Sequence, residues 1–255
     1  MIEQLTAAPP LLFLTLFVIG FLAAFVGSFV SGTTSLISLT SLLFLGISPQ
    51  LATATYRFGA LGWRSGGFWE FFKARKIVWR LVIPLSIVSL LGSAIGAHIL
   101  VTADEGILNK IIGILILLFI PLSLIKNKLG VEKVAVSKTK RYAGYLIFFL
   151  VSAWTGFFAA GAGFFFLYVY TWFFGMTILE TKGTDKIIGL SRDVGAIIVF
   201  LSSGILNIFY LLAFVPGMFL GATIAAKYTI KLGDERLRIL ILLTMALMSL
   251  KLILL

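Results

Sequence analysis

The sequence contains no cysteine and a single histidine, His98. Disulfides, thiol catalysis and cysteine metal sites are therefore excluded, and a zinc cluster is not expected. Charge is scarce as well. Only 12% of the 255 residues are Asp, Glu, Lys or Arg, about half the share found in a soluble domain. The longest polar stretch, Lys126 to Arg141, is too short for a soluble domain. Met1 to Pro10 carries no Lys or Arg, so a cleaved signal peptide with a basic n-region is not expected. No nucleotide-binding motif stands anywhere in the chain, which excludes a direct ATP motor within it.

What remains is apolar. Hydrophobic residues make up 60% of the chain and the mean hydropathy is +1.10. Runs of about 20 apolar residues recur along the whole length, the signature of an all-α polytopic membrane protein. The net charge of +11 belongs to loops beside anionic lipid, not to a nucleic-acid interface.

Sliding the chain by 129 positions superposes Gly27 on Gly156, Gly32 on Gly161, Gly46 on Gly175, Thr55 on Thr184, Gly66 on Gly195 and Gly92 on Gly221. Arg57 falls on Lys186. Most of these identities are glycines, where the backbone is specified more than the side chain. Such a duplication in an apolar chain points to a transporter built from two repeats. The expected segments of the first repeat are Leu11–Val30, Ser35–Leu45, Leu51–Phe72, Leu81–Leu100 and Ile107–Ile125. Those of the second are Tyr142–Ala160, Phe164–Phe174, Gly183–Leu206, Tyr210–Lys227 and Leu237–Leu255. The resulting division is a first repeat over 1–126, a basic, solvated cytoplasmic linker over 127–141 and a second repeat over 142–255. The short segments after each interruption hardly cross a hydrocarbon core of about 30 Å.

Five segments per repeat is an odd number, so the halves should be inverted. Loop charges agree. Phe72–Arg80 carries Lys73, Arg75, Lys76 and Arg80, and its counterpart Leu201–Phe209 carries no charge. Val101–Gly106 carries Asp104 and Glu105, and its counterpart holds Lys227, Lys231, Arg236 and Arg238. With both termini outside a plasma membrane, the basic residues sort to the cytoplasm, except Lys110, Lys251 and the in-span Arg57, Arg64 and Arg192.

Three groups of residues could carry function. The first is the pair of interruptions, Ser31-Gly32-Thr33-Thr34-Ser35 and Gly161-Ala162-Gly163. Non-helical backbone at membrane depth is tolerated where it lines a cavity or is buried in protein. Hydroxyls, backbone N–H groups and half-helix N-termini there suit an anion; the alternative is close helix packing through small residues. The second group is Thr55 with Arg57 and Thr184 with Lys186, candidate hydroxyl and cationic donors. Snorkelling of the two cations to the interface is the competing account. The third is Arg64, Asp185, Arg192 and Asp193. Arg64 and Asp193 occupy equivalent positions and could pair at the repeat interface, or Asp193 or Asp185 could couple a proton to transport. His98 reads as an interfacial histidine, and Trp63 and Trp154 as candidate cavity walls.

These motifs resemble a known family. The runs Gly27-Ser-Phe-Val-Ser-Gly32, Ile47-Ser-Pro-Gln-Leu-Ala-Thr-Ala-Thr55 and Leu91-Gly-Ser-Ala-Ile-Gly-Ala97 are similar to the first repeat of the TauE/SafE sulfite and organosulfonate exporters. Gly156-Phe-Phe-Ala-Ala-Gly-Ala-Gly163, Gly183-Thr184 and Leu220-Gly-Ala222 resemble its second repeat. The hydroxyl-rich Ser31–Ser35 stands where the family commonly has a glycine-rich run. The resemblance implies a carrier of small sulfur-containing or related organic anions.

Read together, these features favour a secondary transporter exporting a small anion by alternating access. An anion channel, an intramembrane enzyme and a purely structural membrane protein are the alternatives. The enzyme lacks a Ser–His pair, twin aspartates or a metal-ligand cluster. Expected partners are a small anionic substrate and the lipid bilayer, with a homodimer compatible and no cofactor or nucleic acid. The topology has a direct test. Single cysteines at Thr139 and Asn207 should label from opposite sides of the membrane; labelling of both by an impermeant reagent outside intact cells would refute inversion.

Overall fold

In a bilayer every backbone N–H and C=O must be satisfied within the protein, which leaves helices for a chain of this hydropathy. The computed structural model describes residues 9–102, 130–159 and 162–253, and every regular element among them is an α-helix. In chain order these are α1 (Pro9–Phe29), α2 (Thr33–Phe44), α3 (Pro49–Lys73) and α4 (Trp79–Thr102), then α5 (Lys138–Phe157), α6 (Ala162–Phe174), α7 (Ile178–Ser202) and α8 (Ile208–Ile253). Gly233, at φ 75 and ψ 171, breaks α8 into two limbs, which answer to the last two expected segments. The expected segment Ile107–Ile125 and the acidic loop residues Asp104 and Glu105 lie outside the described residues.

Adding 129 to the bounds of α3 gives 178–202, the bounds of α7. The same shift carries α1 onto α5 and α2 onto α6 to within one residue. Among the described residues, three helices are long and apolar enough to cross a membrane: α1, α4 and the Ile208–Ile241 part of α8. α6 and α7, bent by 111° at their junction, add one more if taken as a single broken span. α3 carries Arg57, Arg64, Glu70 and Lys73, and it buries both arginines inside the protein.

Two helices begin four and five residues earlier than the apolar pattern indicates, because polar caps set their starts. Ser137 accepts from the Lys140 N–H and starts α5 at Lys138 instead of Tyr142. Thr177 and Glu180 form a capping box that starts α7 at Ile178 instead of Gly183. The connection before α5 also departs from a simply solvated linker. The Ile178 N–H donates to the Gly130 carbonyl at 2.8 Å and the Val134 N–H to the Gly175 carbonyl at 3.2 Å. Lys133 pairs with Glu180 at 2.7 Å. This part of the linker is therefore tied to the α6–α7 turn.

Packing does not follow chain order. α3 and α4 are joined by a short basic turn but choose different partners. α1 and α3 pack on α8, α4 packs on α5 and α7, and α3 meets α7 between the two groups. One core joins Leu16 and Ala24 of α1 to Leu39 of α2, Ala60 of α3 and Phe214 of α8. Another joins Leu85 of α4 to Phe148 of α5, Tyr170 of α6 and Ile188 of α7. Lipid tails are as apolar as leucine, so helices in a bilayer associate through close packing at small residues. Gly66 on α3 faces the Phe219 carbonyl and Thr223 of α8. Gly195 on α7 faces the Leu90 carbonyl and Ser93 of α4. Gly66 and Gly195 are 129 positions apart, and so are Leu90 and Phe219.

A Cβ at either glycine would lie closer to those carbonyls than side-chain carbons sit. Gly66→Val and Gly195→Val are therefore expected to destabilise the detergent-solubilised protein by about 1–3 kcal/mol, the range for overpacking. Ile87→Val, on the exposed face of α4, should change stability by less than about 0.5 kcal/mol. Thermal unfolding midpoints check this, and unshifted glycine variants would show that the contacts yield.

Candidate functional site

The break between α1 and α2 is built on Gly32, whose φ of 86 places it in the left-handed region. A Cβ there would be strained. Gly163, in the first turn of α6, lies directly against it: a Cβ on Gly163 would fall 2.7 Å from the Gly32 Cα. The two helix breaks thus meet tip to tip. Gly161, the equivalent of Gly32 in the sequence, lies outside the described residues, and the contact runs through Gly163.

Around this contact α3 and α7 place their charges. The Arg57 Nη1 donates to the Asp193 Oδ1 at 2.9 Å, and the Arg64 Nε to the Asp193 Oδ2 at 2.5 Å. Arg64 Nη1 reaches the Asp185 Oδ2 at 2.7 Å, and Arg192 Nη2 pairs with the Asp185 Oδ1. The Tyr170 hydroxyl donates to the same Asp185 oxygen at 3.0 Å. Arg192 Nε donates to the Ser89 hydroxyl at 3.1 Å. The result is an alternating chain, Arg57–Asp193–Arg64–Asp185–Arg192. Asp193 is fully buried, and the expected Arg64–Asp193 pair is present.

Two lysines add to it. Lys186 Nζ donates to the Trp63 carbonyl at 3.0 Å and sits 4.0 Å from the centre of the Trp63 ring. Lys182 Nζ donates to the Ser28 carbonyl at 3.0 Å. Neither lysine has an ion-pair partner among the described residues. Five cations thus face two carboxylates. Arg57 is 1% exposed, yet its Nε and Nη2 have no hydrogen-bond partner among the described residues. Buried donors without acceptors are costly, so such a group marks a place made for an acceptor.

These side chains line two adjoining cavities. One, of about 50 Å³, is lined by Ser28, Ser31, Phe71, Tyr170, Lys182 and Lys186. The other, of about 40 Å³, is lined by Thr34, Ser35, Tyr56, Arg57, Ala162 and Arg192. Gly32, Trp63, Arg64, Gly163, Phe166 and Asp185 border both. On α3 the order is Arg57, then Trp63 and Arg64, then Phe71; on α7 it is Lys182, then Asp185, then Arg192. The two helices therefore pass the cavities in opposite directions.

Several expected residues come together here: Ser31, Gly32, Thr34, Ser35, Arg57, Arg64, Ala162, Gly163, Asp185, Lys186 and Arg192. Arg57 and Lys186 turn inward, so neither snorkels. The two threonines of the Thr-x-basic units do not line the cavities. Thr55 donates to the Leu51 carbonyl at 2.7 Å, and Thr184 accepts from the Val78 N–H at 2.9 Å. Their expected role as hydroxyl donors to a substrate has no geometric support. Thr33 likewise turns its hydroxyl back to the Val30 carbonyl at 2.8 Å. Asp193 sits behind the cavities, between its two arginines. Trp63 walls both cavities, whereas Trp154 packs on Phe165 and His98 is exposed near the end of α4. Sequence reasoning missed Lys182, Ser28, Tyr170 and Ser89. Lys182 was legible, because it stands four residues before Lys186 and so shares its helix face.

Comparisons with known proteins identify the family. The sulfite exporter TauE/SafE family profile matches residues 16–252. The probable membrane transporter protein YfcA of Escherichia coli K12 is 28% identical, covering 98% of this chain and 93% of that protein. A probable membrane transporter protein of Haemophilus influenzae is 26% identical, with 93% of each covered. A third, ORF9 of a Sinorhizobium species, is 23% identical over 86% of this chain and 84% of its own length. No solved structure matches. The chain belongs to the sulfite exporter TauE/SafE family of membrane transporters.

Proposed function

We propose that this membrane transporter exports a small oxyanion, sulfite, an organosulfonate or a related organic anion, across the plasma membrane by alternating access of two inverted repeats. The observation that carries the reading is the excess of buried cations beside paired helix breaks, with Arg57 holding unpartnered donors inside a cavity. Sulfite and sulfonates are oxygen-rich acceptors, and guanidinium and ammonium groups are the donors they need. The equal bounds of α3 and α7 under the 129-residue shift, and their opposite passage along the cavities, support inverted repeats. Loop charge supports placing both termini outside. No chemical step on the substrate is involved.

Energetics favour export. In an inside-negative cell, outward movement of a monoanion gains about 2.3 kcal/mol per 100 mV. The Gly32–Gly163 contact between the cavities favours a carrier over an open pore. Saturable sulfite counterflow in liposomes without unitary currents is the expected behaviour.

Arg57→Gln and Lys186→Gln should each weaken sulfite binding about ten- to a hundredfold, the effect of losing one charge-assisted hydrogen bond. Calorimetric titration of the purified variants measures this. Wild-type affinity in both would remove the two cations from the substrate site.

A further inference from the structure

The two cavities differ in how their cations are held. In the larger, Lys182 and Lys186 each make one hydrogen bond, to a backbone carbonyl, and no ion pair among the described residues. An ammonium has three protons, so each lysine keeps donors for a ligand. Lying four residues apart on α7, they present those donors from one helix face. In the smaller cavity the Nε and Nη2 of Arg57 and the Thr34 hydroxyl have no hydrogen-bond partner among the described residues. Between the cavities stand the Gly32–Gly163 contact, Trp63 and Arg64.

The two sets lie apart along the helices. Lys182 and Arg192 are ten residues apart on α7, about 15 Å along the axis. On α3, Arg57 and Phe71 are separated by about 21 Å in the same way. Lys182 and Lys186 line the larger cavity and Arg57 the smaller, so a small oxyanion seated in one cavity meets one set of free donors. Among the described residues, the one cation bordering both cavities is Arg64, already engaged by Asp185 and Asp193.

We propose that the two cavities are separate anion subsites on one pathway, Lys182 and Lys186 holding the anion at one end and Arg57 at the other, with Arg64 the cation common to both. The proposal rests on the transport reading above and extends it to Lys182. An anion passing between the subsites exchanges lysine for arginine partners while staying next to Arg64. It therefore never stands uncompensated in the low-dielectric interior, where a bare charge is most expensive. The Gly32–Gly163 tips and the Trp63 ring separate as it passes. Asp185, which borders both cavities and binds Arg64, is the internal anion that the substrate displaces in transit.

Lys182 is the variant to make, because the Ser28 carbonyl keeps a second donor, the Thr229 hydroxyl at 3.2 Å. Radiolabelled sulfite is offered separately to right-side-out and inside-out vesicles containing the protein. Lys182→Gln should raise KM about tenfold or more for sulfite offered at the face where α7 begins and change it less than about twofold at the other. Arg57→Gln should show the opposite sidedness, and Lys182→Arg should restore the wild-type KM. Equal increases at both faces in both variants would mean a single shared site and overturn the proposal. Wild-type KM values in both variants would also overturn it, while leaving anion transport itself standing. A wild-type protein that moves no sulfite would remove the transport reading, and the two subsites with it.

Discussion

The alternating charge chain from Arg57 to Arg192 is the constraint on which the remaining structure depends. A cation in the middle of a membrane helix costs about 2.5–3.5 kcal/mol on insertion scales, and α3 and α7 together carry several. Asp193 and Asp185 make this tolerable by each accepting from two arginines. Because every link but one joins α3 to α7, the chain also fixes the two helices against each other. Breaking it at Asp193 would leave two buried arginines facing each other, the situation in which removing one partner is most damaging. The paired charges hold the helix crossing, and in the transport reading proposed above they leave cationic character over for a ligand.

That surplus is directional. The arginines are clamped by carboxylates and by the Ser89 hydroxyl, so their orientation is set before any ligand arrives. The lysines have no carboxylate partner among the described residues: Lys182 is held by the Ser28 carbonyl, and Lys186 by the Trp63 carbonyl and ring. One end of the site is clamped by ion pairs and the other is not. Trp63 stands where the two meet, with its indole N–H on the Ser28 hydroxyl at 3.2 Å and its ring beneath Lys186.

Much of this was legible in the sequence. The glycine and threonine identities at a fixed offset located the repeated helices, and α3 and α7 obey that offset to the residue. The paired interruptions marked the place where backbone meets backbone. The Arg64–Asp193 pair followed from equivalent positions well inside two spans. What was illegible had two causes. Hydroxyls such as those of Thr55 and Thr33 satisfy themselves on a nearby carbonyl, and no pattern of residue types reports that choice. Tyr170 and Ser89 join the site through helix crossings, which depend on rotations that a single sequence does not encode. Lys182 was overlooked for a different reason: it was sorted with the loop charges when its spacing from Lys186 already placed it on the inner face.

The exchange of packing partners has a consequence for how the protein is made. α4 presents Gly92 and Gly96 to α5, and Ser93 to α7, and all of these partners lie C-terminal to it in the chain. During synthesis α4 must therefore wait in lipid, its small-residue face uncovered, until the rest of the chain has been inserted. α1 and α3 wait in the same way for α8, the last described element to emerge. Among the described helices neither half completes its own core, so assembly closes only once α8 has emerged. A ribosome that stops early releases a membrane segment with open helix faces and buried arginines lacking their carboxylates, a marked target for membrane quality-control proteases.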